Sequence, residues 1–418
     1  MVQQRWLRII PLALIMYTVA YIDRTNVNLI LDPKISSMMK DLAMNDEMKG
    51  QAIGIFFYGY LLLQIPGSIL ASRWSARKTI SICLFAWGIS AALCGLASSI
   101  GQFEWMRFFL GMSESAVFPA TAVLLTQWFP RAERARANSL WLLCQPIAIA
   151  GTGPITGYLL DHYQWQKTFF IEGALPFLFL PFWWFYIRDH PREANWISPA
   201  ERDHLETTLS AEAAELQPAQ PIPWYVRLRH PSIFVMVALY FFHNCAAYGC
   251  SGFFTSTLDS RSFTGLQKGV FYAVPYILTA FLMVINSWHS DKTGERRGHV
   301  AIAYFVSGTS LILSVVTREH FWVSYGFLCF AIPGPYVAMC PFWTIPAETL
   351  PPAALAMVVG LVNAFGNLGG YVGPRFTGWV KNETNSTAIP FIALGVGMLL
   401  CVGFAYLMPK SKPRVVAT

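Results

Sequence analysis

The sequence TFFIEGALPFLFLPFWWFYI, residues 168–187, carries a single charged residue, Glu172, in an otherwise apolar run. A run of about 20 such residues is long enough to cross a bilayer as a helix. It ends at residues 188–231, a polar interval rich in glutamate, alanine and proline. Six apolar runs lie before this interval and six lie after it, so the sequence predicts an all-α membrane protein with twelve transmembrane helices.

The apolar runs and the residues that interrupt them define three regions. We predict an N-terminal six-helix bundle over residues 1–187, a cytoplasmic inter-bundle loop over 188–231, and a C-terminal six-helix bundle with a short tail over 232–418. The predicted spans are residues 9–31, 51–71, 79–98, 102–125, 137–160, 168–187, 232–256, 268–289, 299–316, 320–345, 353–375 and 388–408.

The composition excludes several other classes of protein. Hydrophobic residues make up 55% of the chain and charged residues 13%, whereas soluble domains carry about 25% charged residues. A soluble enzyme, a disordered chain and a nucleic-acid-binding domain are therefore excluded. The eight cysteines lie in apolar stretches without metal-ligand spacing, so we expect packing cysteines and no metal site.

The distribution of positive charge predicts the orientation in the membrane. The chain has a net charge of +7, and most of its 30 lysines and arginines fall on the same side as the N-terminus when the spans are threaded in order. By the positive-inside rule, both termini of this multi-pass inner-membrane protein are cytoplasmic.

A weak internal repeat supports a duplicated architecture. The basic turn SRWSARK at residues 72–78, after the second span, recurs as DKTGERR at residues 291–297, after the eighth. Transporters built from two pseudo-symmetric halves bind substrate near the midplane and rock one half against the other. The alternative is two unrelated inner loops that both obey the positive-inside rule.

Few ionisable residues fall within predicted spans, where each costs about 2.5–3.5 kcal/mol unless it is paired or faces water. Asp23 and Arg24 lie in the first span, and Arg107 and Glu114 lie in the fourth. Because seven residues make two helical turns, Arg107 and Glu114 share a face. Glu172 lies near the outer end of the sixth span, which favours an interfacial role.

These charges predict an anion site coupled to protons. Arg24 is a permanent cation suited to bind a carboxylate, and Asp23 and Glu114 can take up protons. Arg107 paired with Glu114 would form a proton switch that opens when the pair separates. The alternative is that both acids only neutralise both arginines as buried ion pairs.

Several uncharged polar and aromatic residues in spans are weaker candidates. Gln145 precedes Pro146, where the fifth span is interrupted. Tyr60 and Trp343 either line a cavity or pack against lipid and neighbouring helices. Asn363 lies in a glycine-rich, bendable span, and the sequence leaves open whether its side chain lines a cavity.

The sequence resembles the anion:cation symporter group of the major facilitator superfamily, which includes sialin and the vesicular glutamate transporters. The resemblance covers nearly the whole chain. Its motifs here are Tyr21 to Val27, Gly59-Tyr60 with Gln64 to Gly67, Arg107 to Glu114, Trp128-Phe129-Pro130 with Glu133 to Arg136, Asp189-His190-Pro191 with Ala194 to Trp196 and Ser198 to Glu201, Pro341-Phe342-Trp343 with Pro346, and Asn363 to Pro374.

This resemblance implies proton-coupled import of a small organic anion by alternating access between two six-helix bundles, without a bound cofactor. It implies that Arg24 binds the substrate carboxylate and that Asp23 and Glu114 carry protons, with Arg107 as the partner of Glu114. The further substrate contacts that it implies are Tyr21, Tyr60, Gln145, Trp343 and Asn363.

The resemblance also assigns gating roles to the two basic turns. The predicted gating residues are Arg73, Arg77, Asp291 and Arg296. The first turn departs from the family pattern, because Ser72 replaces an acid and Ser75 replaces a glycine. The second turn keeps its acid and its glycine. A stretch near His289 leans slightly toward members associated with tartrate-like acids.

Other functions remain open at this point. Within transport, the alternatives are a uniporter, an antiporter or an exporter of an organic anion. A membrane-embedded enzyme and a non-transporting sensor are remote, because the histidines are scattered and no signalling domain is present. We expect a monomer in a lipid bilayer with protons and a small carboxylate as its partners and no nucleic acid. Tartrate, aldonates, aldarates, hexuronates and aromatic carboxylates all fit.

Overall fold

A computed structural model describes residues 4–215, 231–349 and 352–410 of the chain. Within these ranges the regular structure is entirely helical, which confirms the all-α prediction. The α-helices are α1 (Gln4–Thr25), α2 (Val27–Ile30), α3 (Met38–Asp41), α4 (Asp46–Arg73), α5 (Ala76–Cys94), α6 (Ile100–Glu114), α7 (Val117–Trp128), α8 (Arg131–Leu142), α9 (Cys144–His162), α10 (Trp165–Gly173), α11 (Leu175–Tyr186), α12 (Pro199–Glu215), α13 (Pro231–Phe253), α14 (Gly265–Thr293), α15 (Arg297–Val316), α16 (Phe321–Ala331), α17 (Pro333–Thr349), α18 (Pro352–Thr384) and α19 (Ala388–Leu407). Two 3-10 helices cover Pro191–Glu193 and Thr255–Leu258.

Ten helical segments of the described chain are long and apolar enough to cross a membrane. They are Gln4–Ile30, Asp46–Arg73, Ala76–Cys94, Ile100–Trp128, Trp165–Tyr186, Ser232–Phe253, Gly265–Thr293, Arg297–Val316, Phe321–Pro346 and Ala388–Leu407. The other two predicted spans, 137–160 and 353–375, are helical as well, in α8 with α9 and in α18.

Contacts between residues divide the chain into two compact units. Unit 1 comprises Met1–Arg24, Tyr58–Ala148 and Gln166–Pro221, and unit 2 comprises Thr25–Phe57, Ile149–Trp165 and Ile222–Thr418. The boundaries differ from the predicted bundles because one end of α4 and most of α9 pack with the second half of the chain. The division at 1–187, 188–231 and 232–418 stays a prediction.

The predicted inter-bundle loop contains a helix, α12, that is fixed to the start of the chain within unit 1. Arg5 is 2% exposed, and its guanidinium lies 2.6 Å from a Glu201 carboxylate oxygen and 2.7 Å from one of Glu133. The Ser198 hydroxyl accepts a hydrogen bond from the Glu201 backbone N–H at the start of α12. Residues 216–230 of this loop and 411–418 of the tail lie outside the described residues.

Both units contain helix pairs that approach closely at a glycine. A Cβ atom at Gly59 would lie 2.0 Å from the Phe108 carbonyl oxygen in unit 1, and one at Gly369 would lie 2.1 Å from the Phe241 carbonyl oxygen in unit 2. Only a residue without a side chain fits at these contacts, as is common where membrane helices pack backbone to backbone.

Candidate functional site

The four predicted charged residues lie where two helices of unit 1 end. Asp23 and Arg24 occupy the last turn of α1, which ends at Thr25. Glu114 is the last residue of α6, and Arg107 lies two turns before it. Interrupted helices provide backbone groups and room beside the side chains, which is typical of transporter sites.

Arg24 and Glu114 form a buried ion pair. The distance from Arg24 Nη2 to Glu114 Oε2 is 3.0 Å, and the side chains are 5% and 0% exposed. The second carboxylate oxygen of Glu114 has no hydrogen-bond partner among the described residues. The structure thus pairs Glu114 with the predicted substrate arginine, and Arg107 lies near enough to interact with Glu114 electrostatically.

Two predicted substrate contacts surround the Arg24 guanidinium with aromatic rings. Its central carbon lies 4.6 Å from the ring centroid of Tyr21 and 4.8 Å from that of Tyr60. Both distances fit cation–π attraction, which strengthens when the cation is desolvated. Tyr17, which the sequence alone does not single out, is hydrogen-bonded to Tyr60 and is 2% exposed. These rings hold the guanidinium in one position.

Asp23 is held by residues that differ from those around Arg24. The Trp87 indole N–H donates to Asp23 Oδ2 at 3.1 Å, and Arg107 donates to the Asp23 backbone carbonyl at 3.0 Å. Asp23 is 2% exposed, and its Oδ1 atom has no hydrogen-bond partner among the described residues. The neighbouring positions 23 and 24 therefore present an acid and a base to different partners.

Two further residues of unit 1 lie close to this cluster. Glu172 is 1% exposed and interacts electrostatically with Asp23, so the interfacial role expected for it is wrong. Gln145 is half-buried in the first turn of α9, just after a break in the helix at Leu143. The preceding residue, Cys144, lies near enough to Arg24 for an electrostatic interaction.

Trp343 and Asn363 belong to unit 2, where uncharged aromatic side chains surround Trp343. The ring of Tyr240 lies edge-on to Trp343 with centroids 5.2 Å apart, and it stacks on His243 at the same centroid distance. Asn363 accepts a hydrogen bond from the Asn367 amide at 3.3 Å. Both predicted contacts are half-buried, so each has surface available for a ligand.

Within the second basic turn, the predicted gating residues Arg296 and Asp291 form an ion pair. Arg296 Nη1 lies 2.6 Å from Asp291 Oδ1 and also donates to the Ser290 hydroxyl at 3.0 Å. Gly294 ends α14 with φ +69°, which an L side chain rarely adopts. Burial alone would raise the pKa of Glu295, but hydrogen bonds from the Gly298 backbone N–H and from His299 lower it below its ordinary value.

The first basic turn uses an acid from elsewhere in unit 1. Ser75 caps α5 by accepting from the Lys78 backbone N–H, and its hydroxyl donates to Asp189, which also accepts from the Arg77 backbone N–H at 2.9 Å. The Arg77 guanidinium lies 4.4 Å from the Trp184 ring centroid, and Arg73 is exposed at the end of α4. Asp189 therefore supplies the acid that this turn lacks at position 72.

The comparisons with known proteins identify the class. A family model described as Major Facilitator Superfamily matches residues 13–374. The chain belongs to the Major Facilitator Superfamily and is a membrane transporter rather than an enzyme. A solved structure of a bacterial homolog of the human lysosomal transporter Spinster, in an inward-facing and occupied conformation, covers 95% of each chain with a TM-score of 0.75 at 16% identity. The predicted fold is confirmed.

Two relatives carry names that concern substrates. A protein of Agrobacterium vitis named "Putative tartrate transporter" is 31% identical over 420 residues, covering 98% of this chain and 95% of that protein. A protein of Acinetobacter baumannii named "Quinolone resistance transporter" is 29% identical over 429 residues, covering 97% of this chain and 94% of that protein.

Proposed function

We propose that this transporter imports a small organic anion, with tartrate-like dicarboxylates as the first candidates, together with protons. It would act as a monomer in the inner membrane, with both termini cytoplasmic, and would alternate access between two six-helix bundles. The name of the Agrobacterium vitis relative supports the substrate class. The coupling to protons is argued from the cluster in unit 1.

The observation that carries the proposal is the buried Arg24–Glu114 pair. A guanidinium binds a carboxylate through two parallel N–H donors, so a substrate carboxylate and Glu114 compete for Arg24. A substrate carboxylate that displaces Glu114 from Arg24 removes the ion pair of this buried acid and leaves only the electrostatic interaction with Arg107, so the protonated form of Glu114 is favoured. Anion binding and proton uptake are then linked at one arginine.

Asp23 is the second proton carrier in this proposal. Its Oδ2 atom accepts from the Trp87 indole, while Oδ1 is free to hold a proton. The hydrogen bond from Arg107 to the Asp23 backbone keeps the end of α1 in place whatever the charge of the Asp23 carboxyl. Arg107 thus acts as a positioning residue for Asp23 as well as an electrostatic partner of Glu114.

The remaining substrate contacts would come from side chains that match a hydroxylated acid. Tyr21, Tyr60 and Gln145 offer hydroxyl and amide groups in unit 1, and Trp343 and Asn363 offer an indole and an amide in unit 2. The gating roles of Arg73, Arg77, Asp291 and Arg296 rest on the two basic turns. In this proposal, Asp189 completes the first turn and Asp291 completes the second.

Uptake into vesicles that contain the purified protein tests this function. With an inward proton gradient, labelled L-tartrate should accumulate inside above its outside concentration, and a protonophore should abolish the accumulation. A screen of organic acids by competition would then rank the substrates. Equilibration without accumulation would indicate a uniporter and would contradict proton symport.

An exporter of the same fold is the second candidate, supported by the resistance name of the Acinetobacter baumannii relative. An exporter would expel labelled anion or quinolone from cells in exchange for protons. Cells that express the protein should then retain less label than control cells, whereas an importer makes them retain more. The sign of this difference separates the two candidates.

A further inference from the structure

Unit 2 contains a cluster of three aspartates and three lysines at helix ends on the membrane side opposite the N-terminus. In the proposed orientation this side is outside. We call it the Lys49 cluster, and its members are Asp32, Asp46, Lys49, Asp259, Lys268 and Lys381.

Five members of the Lys49 cluster are paired. Lys268 Nζ donates to Asp32 at 2.8 Å and to Asp259 at 2.7 Å, and the side chains of Lys268 and Asp32 are both 1% exposed. Lys381 Nζ donates to Asp46 at 2.9 Å. One lysine thus holds two acids and another lysine holds the third.

Lys49 is the exception. It is 0% exposed, and its ammonium has no hydrogen-bond partner among the described residues. Its Nζ atom lies 4.8 Å from the ring centroid of Phe253, a cation–π distance. Asp32, Asp46 and Asp259 lie near enough to attract this ammonium electrostatically, but none of them is hydrogen-bonded to it. A buried ammonium without a hydrogen-bonded anion is costly, and such residues in membrane proteins mark ion or substrate pathways.

The neighbouring acids are already engaged. Both carboxylate oxygens of Asp32 are used, because Oδ2 accepts from Lys268 and Oδ1 accepts from the Lys34 backbone N–H at 2.8 Å. A buried ammonium without a hydrogen-bond partner among the described residues suits a carboxylate that arrives from outside the protein.

We propose that Lys49 is a second anion-binding site, which receives the carboxylate of the incoming substrate before that anion reaches Arg24. This inference rests on the proposed import of an organic anion. The Phe253 ring lies against the ammonium, whose N–H groups would donate to the bound carboxylate.

One end of α14, which carries Lys268 of the Lys49 cluster, packs closely against α9 within unit 2. A Cβ atom at Gly269 would lie 2.0 Å from the Gly153 carbonyl oxygen, and Asp161 accepts from the backbone N–H groups of Gly265 and Leu266 at 2.7 and 2.8 Å. Because Lys49 itself is 0% exposed, an anion can enter only when the helices around Lys49 move apart.

The test compares Lys49→Gln with Lys40→Gln, which removes an exposed lysine of the same segment. Initial rates of labelled L-tartrate uptake by intact cells are measured against its external concentration. Lys49→Gln should raise the KM about tenfold, the loss of one contact to a charged group, with an unchanged maximal rate. Lys40→Gln should match wild type. The purified Lys49→Gln protein should melt at the wild-type temperature or above it, because a buried charge without a hydrogen-bond partner among the described residues is gone.

Each other outcome overturns the assignment in a recognisable way. An unchanged KM, or a lower melting temperature with unchanged KM, makes Lys49 structural. A lower maximal rate with unchanged KM would mean that Lys49 interacts with the neighbouring acids while the site opens and that Lys49 does not bind the substrate. Uptake by wild type could depend on chloride. If this dependence disappears in Lys49→Gln without a change in KM, the anion that binds at Lys49 is inorganic. If wild type takes up no organic acid, the proposed function fails and this inference fails with it.

Discussion

The two units bury different chemistry among their helices. Around Arg24, unit 1 places charged side chains that are 6% exposed or less, with an ion pair at 3.0 Å. Around Trp343, unit 2 places aromatic rings and a histidine, and His243 is hydrogen-bonded to the Tyr304 hydroxyl at 3.1 Å. Charge is expensive to bury and aromatic surface is not. In the proposed function, proton coupling therefore belongs to unit 1 and not to unit 2.

The largest effect is expected from Arg24→Gln. This variant removes the cation that we propose binds the substrate carboxylate, so L-tartrate affinity should fall about 100-fold or more. Isothermal titration of the purified proteins measures it. Arg8→Gln, an exposed arginine on the same helix, is the matched control and should bind like wild type. If Arg24→Gln binds L-tartrate as tightly as wild type does, Arg24 does not bind the substrate carboxylate and the proposed anion site in unit 1 is wrong.

The next effect concerns the two acids of unit 1. Glu114→Gln and Asp23→Asn should each abolish gradient-driven accumulation, because neither side chain can then carry a proton. Exchange of internal for external anion should survive in both, since exchange needs no net proton movement. Asp203→Asn, an exposed acid of the same unit, is the control. Undiminished accumulation in both variants would leave unit 1 without a proton carrier.

A smaller effect is expected in unit 2. Trp343→Phe keeps an aromatic ring but loses the indole N–H, so the KM should rise about threefold to tenfold, in line with roughly 0.5–1.5 kcal/mol for one hydrogen bond. The dependence of uptake on external pH should stay the same as in wild type. A shifted pH profile in this variant would mean that unit 2 also takes part in proton coupling, which would contradict the proposed difference between the units.

The smallest difference is expected where the units are alike. Gly59→Ala and Gly369→Ala each force a Cβ atom onto a neighbouring backbone, and both should lose about 1–3 kcal/mol of stability. Gly360→Ala, which meets open space, should be neutral. Melting of the purified variants in detergent measures this. A loss at only one of the two contacts would mean that the units rely on helix packing to different degrees.

The sequence predicted most of the fold, because a run of some 20 apolar residues leaves few alternatives to a membrane helix. It placed the second span at residues 51–71, whereas α4 begins at Asp46. Lys49 thus lies just outside the predicted span, and two acids and a lysine in the first turn of an otherwise apolar helix resemble an ordinary helix start. The buried lysine therefore emerged only from the structure.

The charged residues of the site could be predicted from the sequence, but the ion pairs that they form could not. Helical spacing placed Arg107 and Glu114 on one face, but spacing says nothing about which side chain a second helix brings to Glu114. The ion pair of Glu114 with Arg24 depends on how α1 packs against α6. Trp87 and Asp189 were missed for the same reason, since each acts on a residue distant in the chain. The family motif at Asp189 was the one available signal.

Proton uptake on anion binding tests most directly whether the substrate displaces Glu114 from Arg24. Purified protein in a weakly buffered solution at neutral pH is mixed with L-tartrate, and the change in proton concentration is recorded. Wild type should take up about one proton for each anion bound, because Glu114 loses its cation and protonates. Glu114→Gln should bind the anion without this uptake. Equal proton uptake by wild type and Glu114→Gln would contradict the competition at Arg24.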